Sequence, residues 1–183
     1  MIPAKMRRTA CVSSQVGCPV GCTFCASGIG GLEGNLSVGQ IVEQVILLGA
    51  SNITNVVFMG MGEPLDNLGP VIDSLRLMTA PEAMRLSTRK VTVSTSGLVD
   101  KINEFKKENI HINLAISLNA TEDETRNRLM PINKKYPIKT LMNCLRNYPL
   151  KPQRRHTIEY VLLKGINDSD EDAQRLAKWL KGI

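Results

Sequence analysis

The run Thr9-Ala10-Cys11-Val12-Ser13-Ser14-Gln15-Val16-Gly17-Cys18-Pro19-Val20-Gly21-Cys22-Thr23-Phe24-Cys25 reads as a short strand, Thr9 to Ser14, leading straight into a loop with three cysteines. Cys18, Cys22 and Cys25 are spaced C-x3-C-x2-C. Two short gaps place three thiolates on one small loop, where they can grip a single inorganic centre. Two kinds of centre fit. A structural zinc site is closed by four protein ligands, and Cys11, His111 or His156 could supply the fourth. Four-iron clusters are usually held by four cysteines, so a trio with no close fourth partner suits a cluster with one iron open to a small molecule. A disulfide framework fits poorly: five cysteines in 183 residues are too sparse, and no signal-like apolar stretch opens the chain.

Downstream, β-rich runs alternate with helical patterns. Val38, Ile41, Val42, Val45 and Ile46 form one apolar stripe on a helix from Ser37 to Leu48, with Ser37 and Gln40 as its capping box. Asn55 to Met59 reads as a buried strand, and a helix covers roughly Val71 to Met78. A strand over Val91 to Ser94, a helix over Val99 to Lys107 and a strand over Ile112 to Ser117 follow. Thr121 with Glu124 predicts a capping box on a short helix that stops before Pro131. Ile138, Leu141, Met142 and Leu145 stripe the next helix, and Cys144, one position off that stripe, reads as a small packing residue. A fifth strand, Thr157 to Leu162, precedes a last helix capped by Ser169 and striped by Ala173, Leu176, Ala177 and Leu180.

Strand and helix alternating five times predict an α/β fold: about five parallel strands with right-handed crossover helices. Active-site groups in such sheets gather at the C-terminal strand ends. The Cys loop, Gly60-Met61-Gly62-Glu63-Pro64, Ser94-Thr95-Ser96-Gly97 and Ser117-Leu118-Asn119 all lie at such ends. Four polar or Gly-rich strand ends on one rim predict one site. A parallel sheet that stops at its fifth strand has an open edge, so residues 1–183 are expected to be a single domain from a larger partial barrel.

The bulk numbers narrow the class. No apolar run reaches membrane-spanning length. Reduced thiols without an export signal predict the cytoplasm. Lys and Arg outnumber Asp and Glu by 23 to 17, which allows a polyanionic partner. The basic residues cluster at Lys5, Arg7 and Arg8, at Lys134 and Lys135, and at Lys151, Arg154 and Arg155. Aromatic content of 4% argues against a broad base-stacking platform.

With a Cys loop after the first strand and a Gly-Glu loop after the second, the chain resembles the radical SAM enzymes. Longer stretches narrow the resemblance. Ala10 to Cys18, Val57 to Leu65, Val93 to Gly97, Met130 to Tyr136 and Thr157 to Leu162 are similar to the RlmN/Cfr family of adenine methyltransferases. The resemblance implies an incomplete (β/α)6 radical SAM barrel. It implies that Cys18, Cys22 and Cys25 hold a [4Fe–4S] cluster whose open iron takes S-adenosylmethionine (SAM). Gly62 and Glu63 would meet the methionine end of SAM. Ser94, Ser117, Leu118 and Asn119 would contact its remaining parts. The implied substrates are adenine in 23S rRNA, methylated at C2, and in one branch certain tRNAs; the alternative branch methylates C8.

Cys11, on its strand, is by residue type a small hydrophobe. The resemblance gives it a catalytic role. In the family, one SAM methylates a second cysteine, and a second SAM supplies the 5′-deoxyadenosyl radical that activates that methyl group. Cys11 would then attack the methyl-carrying sulfur, forming a disulfide as the base is released. Three family features have no counterpart in the 183 residues: the methyl-carrying cysteine, the N-terminal RNA-facing domain, and a sixth strand followed by a SAM-contacting asparagine. Asn119 stands where relatives commonly carry histidine. The expectation is a cluster- and SAM-binding core that does not transfer methyl groups by itself. Another radical SAM reaction, or a zinc-knuckle RNA-binding module, remains the alternative.

Overall fold

The computed structural model describes residues 2–4 and 7–183, so Lys5 of the first basic cluster lies outside the described residues. In chain order the strands and helices are β1 (Ile2–Ala4), β2 (Arg7–Cys11), β3 (Gln15–Gly17), β4 (Leu32–Asn35), α1 (Val38–Leu47), β5 (Asn55–Phe58), α2 (Leu68–Thr79), β6 (Val91–Thr95) and α3 (Val99–Lys107). Then come β7 (Asn113–Ser117), α4 (Asp123–Leu129), α5 (Ile138–Arg146), β8 (Thr157–Glu159) and α6 (Asp170–Leu180).

The main sheet has the order β1-β2-β5-β6-β7-β8. Its five strands from β2 to β8 are parallel, as the alternating pattern predicts, and β1 pairs antiparallel with β2. Register and burial separate the two faces. Ala10, Val56, Phe58, Val91, Val93, Leu114 and Ile116 are buried and share a core with Ile41 and Val45 of α1 and Leu75 of α2. Each buried Val, Leu, Ile or Phe side chain stabilises the fold by about 1.5–3 kcal/mol relative to exposure. Cys11, Val57, Thr92, Ser94, Ser117 and Glu159 alternate with them and point to the opposite face.

Local signals set several helix starts. The Ser37–Gln40 capping box forms at α1, and Ser169 caps α6 with Asp172. The predicted box at Thr121–Glu124 does not form. α4 starts from Glu122 without a side-chain cap, because the Thr121 hydroxyl donates to Asp172 Oδ1 at 2.5 Å instead. A contact to a distant helix has replaced a local one.

Two strands differ from expectation. Thr9 to Ser14 does not continue as one strand. The assigned strand ends at Cys11; Val12 N–H still donates to the Val57 carbonyl at 2.9 Å, then the chain leaves the main sheet and β3 pairs antiparallel with β4 as a separate ribbon. The fifth strand ends at Glu159 rather than Leu162: the Val161 N–H donates to the Asn119 side-chain oxygen at 2.9 Å, so it does not extend the ladder.

Candidate active site

The ribbon holds the Cys loop as the link between its strands. Cys18 N–H donates to the Gly31 carbonyl at 2.9 Å, closing the loop at its base. Gly17 has a φ of +77°, and a Cβ there would meet Gly31 O at 2.0 Å, so only glycine fits. Thr23 N–H donates to the Leu129 carbonyl at 2.9 Å, which pins the loop to the end of α4.

Cys22 packs on the small apolar cluster of Ala120, Leu129 and Met130. That burial, with the neighbouring Cys18, Cys25 and Glu63, pushes its thiol up to about 12; the Arg126 cation acts the other way. Cys18 is also raised, again chiefly by burial. All five cysteines are free thiols. Among the described residues, no three Cys, His, Asp or Glu side chains converge on one metal ion, as a mononuclear zinc site would require. A four-iron cluster instead takes each thiolate at a separate corner. Its positive charge would favour the thiolates that the bare loop disfavours, so the donor set fits such a cluster.

Beside the loop, over the C-terminal strand ends, lies a cavity of about 520 Å³. Cys22, Cys25, Gly62, Glu63, Ser94, Ser117 and Asn119 all line it. Its size falls in the range of small-molecule sites. Cys18, Cys11 and Leu118 do not line it. Leu118 is wholly buried in the core, and its N–H donates to the Glu159 carbonyl at 3.0 Å. Cys11 is half-buried on the same sheet face as Ser94, two residues lower in register, since Cys11 aligns with Val57 and Val57 with Thr92.

Glu63 is 3% exposed yet lines this cavity. Its Oε2 accepts from Ser96 N–H at 2.7 Å and its Oε1 from Leu65 N–H at 3.1 Å. No Lys, Arg or His among the described residues pairs with it. Burial pushes its carboxyl up, against the pull of those backbone donors. A buried carboxylate without a partner cation is costly, so the cavity suits a cationic ligand. Gly62 shapes the approach: its φ is +103°, and a Cβ would meet Gln15 Cβ at 2.6 Å.

Sequence reasoning missed three residues here. Glu159 Oε2 accepts from the Ser94 hydroxyl at 2.6 Å and the Ser117 hydroxyl at 3.0 Å, so all three form one polar edge of the cavity. In sequence Glu159 reads as the middle of a strand from Thr157 to Leu162, which hides its place at the strand end on the shared rim. Ser96, also a lining residue, has a buried hydroxyl with no hydrogen-bond partner. Arg126 is wholly buried and donates to the carbonyls of Leu118, Ser96 and Ser117 and to Asn133 Oδ1. Nothing in the sequence pointed to it. Asn119 adopts φ +56°, which Asn tolerates better than most residues, and its side chain ties β7 to the segment after β8.

The pattern that describes the Radical SAM superfamily matches residues 12–177, and the chain belongs to that superfamily. The resemblance to the RlmN branch is also borne out. The chain is 51% identical, over 97% of its length, to the dual-specificity RNA methyltransferase RlmN of Syntrophotalea carbinolica, covering 48% of that protein. It is 49% identical over its whole length to the RlmN of Geotalea uraniireducens, covering 53% of it. A crystal structure of a radical SAM methyltransferase from Sphaerobacter thermophilus superposes with a TM-score of 0.94 at 43% identity, over all of this chain and 55% of that one. The chain thus spans about half the length of the curated relatives it matches. No helix among the described residues is long and apolar enough to cross a membrane.

Proposed function

We propose that residues 1–183 are the cluster- and SAM-binding core of an RNA adenine methyltransferase that acts at C2 of adenine in 23S rRNA and in certain tRNAs. Cys18, Cys22 and Cys25 hold the cluster, and SAM occupies the cavity beside them. The observation that carries this reading is Glu63, a buried carboxylate without a protein cation, in the same cavity wall as Cys22 and Cys25. It is placed to take the ammonium of a methionine moiety. Ser94, Ser117 and Glu159 offer hydroxyls and a carboxylate oxygen to a sugar, and Asn119 lines the same wall. When bound, cluster and SAM together supply a carbon-centred radical; the protein supplies position and excludes water.

Cys11 is the resolving thiol. As a thiolate it would attack the sulfur of the methyl-carrying cysteine: the S–S bond forms, the bond from that sulfur to the base-linked carbon breaks, and the bonding pair stays on that carbon, which takes up a proton to become the methyl group. This reading assigns cluster and SAM binding to residues 1–183. The similarity to RlmN relatives supports the C2 outcome over C8.

The test is anaerobic reconstitution with iron and sulfide, then EPR of the reduced protein with and without SAM. A four-iron signal that changes on adding SAM supports the reading. Tightly bound zinc without a cluster would overturn it.

A further inference from the structure

The basic run Lys151 to Arg155 finds no place in the active site. It precedes β8, so it lies at the N-terminal ends of the strands, opposite the catalytic rim. Two other segments meet it there. One is Ser87-Thr88-Arg89 before β6, and the other is His111 before β7. Together they enclose a second cavity of about 340 Å³, lined by Ser87, Thr88, Arg89, His111, Lys151 and Arg154, with Pro152. No lining residue is acidic.

The site is held in shape from within. Arg154 Nη1 donates to Asn113 Oδ1 at 2.7 Å, and its Nη2 donates to Thr88 Oγ1 and the His111 carbonyl, each at 3.2 Å. Asn113 Nδ2 donates in turn to the Arg89 carbonyl at 2.9 Å. Arg154 N–H donates to the Lys151 carbonyl at 3.0 Å, so one turn fixes both cations. All these acceptors are neutral. The ion pairs among the described residues lie elsewhere and use none of Arg89, His111, Lys151 or Arg154. By contrast, Lys135 of the other basic pair is engaged with Asp100 at 3.4 Å.

We propose that this cavity is a phosphate-binding site: Arg89, Lys151, Arg154 and His111 take the phosphate oxygens, with the Ser87 and Thr88 hydroxyls beside them. A fixed guanidinium, two further cations and hydroxyl donors without a competing carboxylate suit a tetrahedral polyanion. Cations crowded with no counter-anion repel one another; burial, then Lys151 and Arg154, lower the His111 pKa, and a bound anion would relieve that repulsion. The phosphate is one in an RNA backbone passing the far side of the sheet, or a free phosphate. Neither cluster nor SAM enters, so this site stands or falls apart from the radical SAM reading.

The chain contains two histidines, His111 and His156, so 13C-labelled histidine gives two resolvable signals. His156 is buried away from this cavity and serves as the internal reference. Inorganic phosphate and pyrophosphate should shift the His111 signal saturably and leave His156 in place. Arg89→Ala with Lys151→Ala, both exposed and joined to the Arg154 network only through their backbone carbonyls, should weaken that binding about tenfold or more. The sources separate on a short RNA hairpin. If the site takes RNA, the double variant lowers the slope of log affinity against log salt by about one to two. If the slope is unchanged while phosphate still binds, the ligand is a free phosphate. No saturable His111 shift with either phosphate, or a shift that the double variant retains in full, overturns the proposal.

Discussion

Glu63 and Arg126, two buried ions of opposite sign, meet through the backbone of Ser96. Ser96 N–H donates to Glu63 Oε2, and the Ser96 carbonyl accepts from Arg126 Nη2, each at 2.7 Å. The two side chains share the backbone of one residue without forming an ion pair. Glu63 lines the cavity, and Arg126 gathers the loops after β6 and β7 into one rim while lying near Cys22.

The first prediction separates the proposed cluster ligands from the proposed resolving thiol. Cys18→Ala, Cys22→Ala and Cys25→Ala should each lose most of the iron taken up on reconstitution. Cys11→Ala should keep it, because Cys11 sits in β2 rather than in the Cys loop. Iron and sulfide assays decide; iron loss in Cys11→Ala would favour a four-ligand zinc-type site.

Glu63→Gln removes the charge and retains the shape. SAM should bind about tenfold more weakly or worse to the reconstituted chain, a loss of about 1.4 kcal/mol or more. The wild-type affinity should also depend on pH. Burial raises the Glu63 pKa, and only the carboxylate attracts an ammonium, so affinity is full above that raised pKa and declines as pH falls through it. Calorimetric titration across pH should find this decline in the wild type and not in the variant.

Arg126→Met should destabilise the chain by about 3–5 kcal/mol, since it leaves the carbonyls of Ser96, Ser117 and Leu118 buried without their donor. Arg126→Lys should recover part of this, because an ammonium cannot span the same four acceptors. Urea midpoints measure both; equal stability of Arg126→Met and wild type would refute the role.

His156 should make the fold acid-sensitive. It is buried, its Nε2–H donates to the Leu145 carbonyl at 3.2 Å, and Nδ1 has no partner. Burial lowers its pKa below the ordinary 6.5. Between that lowered pKa and 6.5 the unfolded chain holds a proton that the folded chain does not. Stability is therefore intact above about 6.5 and falls as pH drops below it. His111, also lowered, adds to the same window. His156→Gln should flatten part of the slope in denaturation midpoints measured from pH 7 to pH 5.

Much of this molecule is legible from local sequence. The C-x3-C-x2-C spacing puts three thiols on one loop whatever surrounds it. The capping boxes at Ser37 and Ser169 form because both partners lie within one turn. Alternating periodicity gave five parallel strands, and those place Glu63, Ser94 and Ser117 on one rim. What sequence could not supply are the contacts between residues far apart in the chain. Thr121 has the spacing of a cap and spends its hydroxyl on Asp172, 51 residues away. Glu159 reaches Ser94 across 65 positions, and Arg126 reaches Ser96 across 30. The ribbon of β3 and β4, the link from Glu63 to Arg126 through Ser96 and the basic cavity under β6, β7 and β8 belong to the same class. Periodicity and capping act within a few residues, so the chain by itself determined its elements and its Cys loop. Charge burial and hydrogen-bond satisfaction act between elements, so only the packed tertiary structure decided which buried ions go unpaired and which face the cavity.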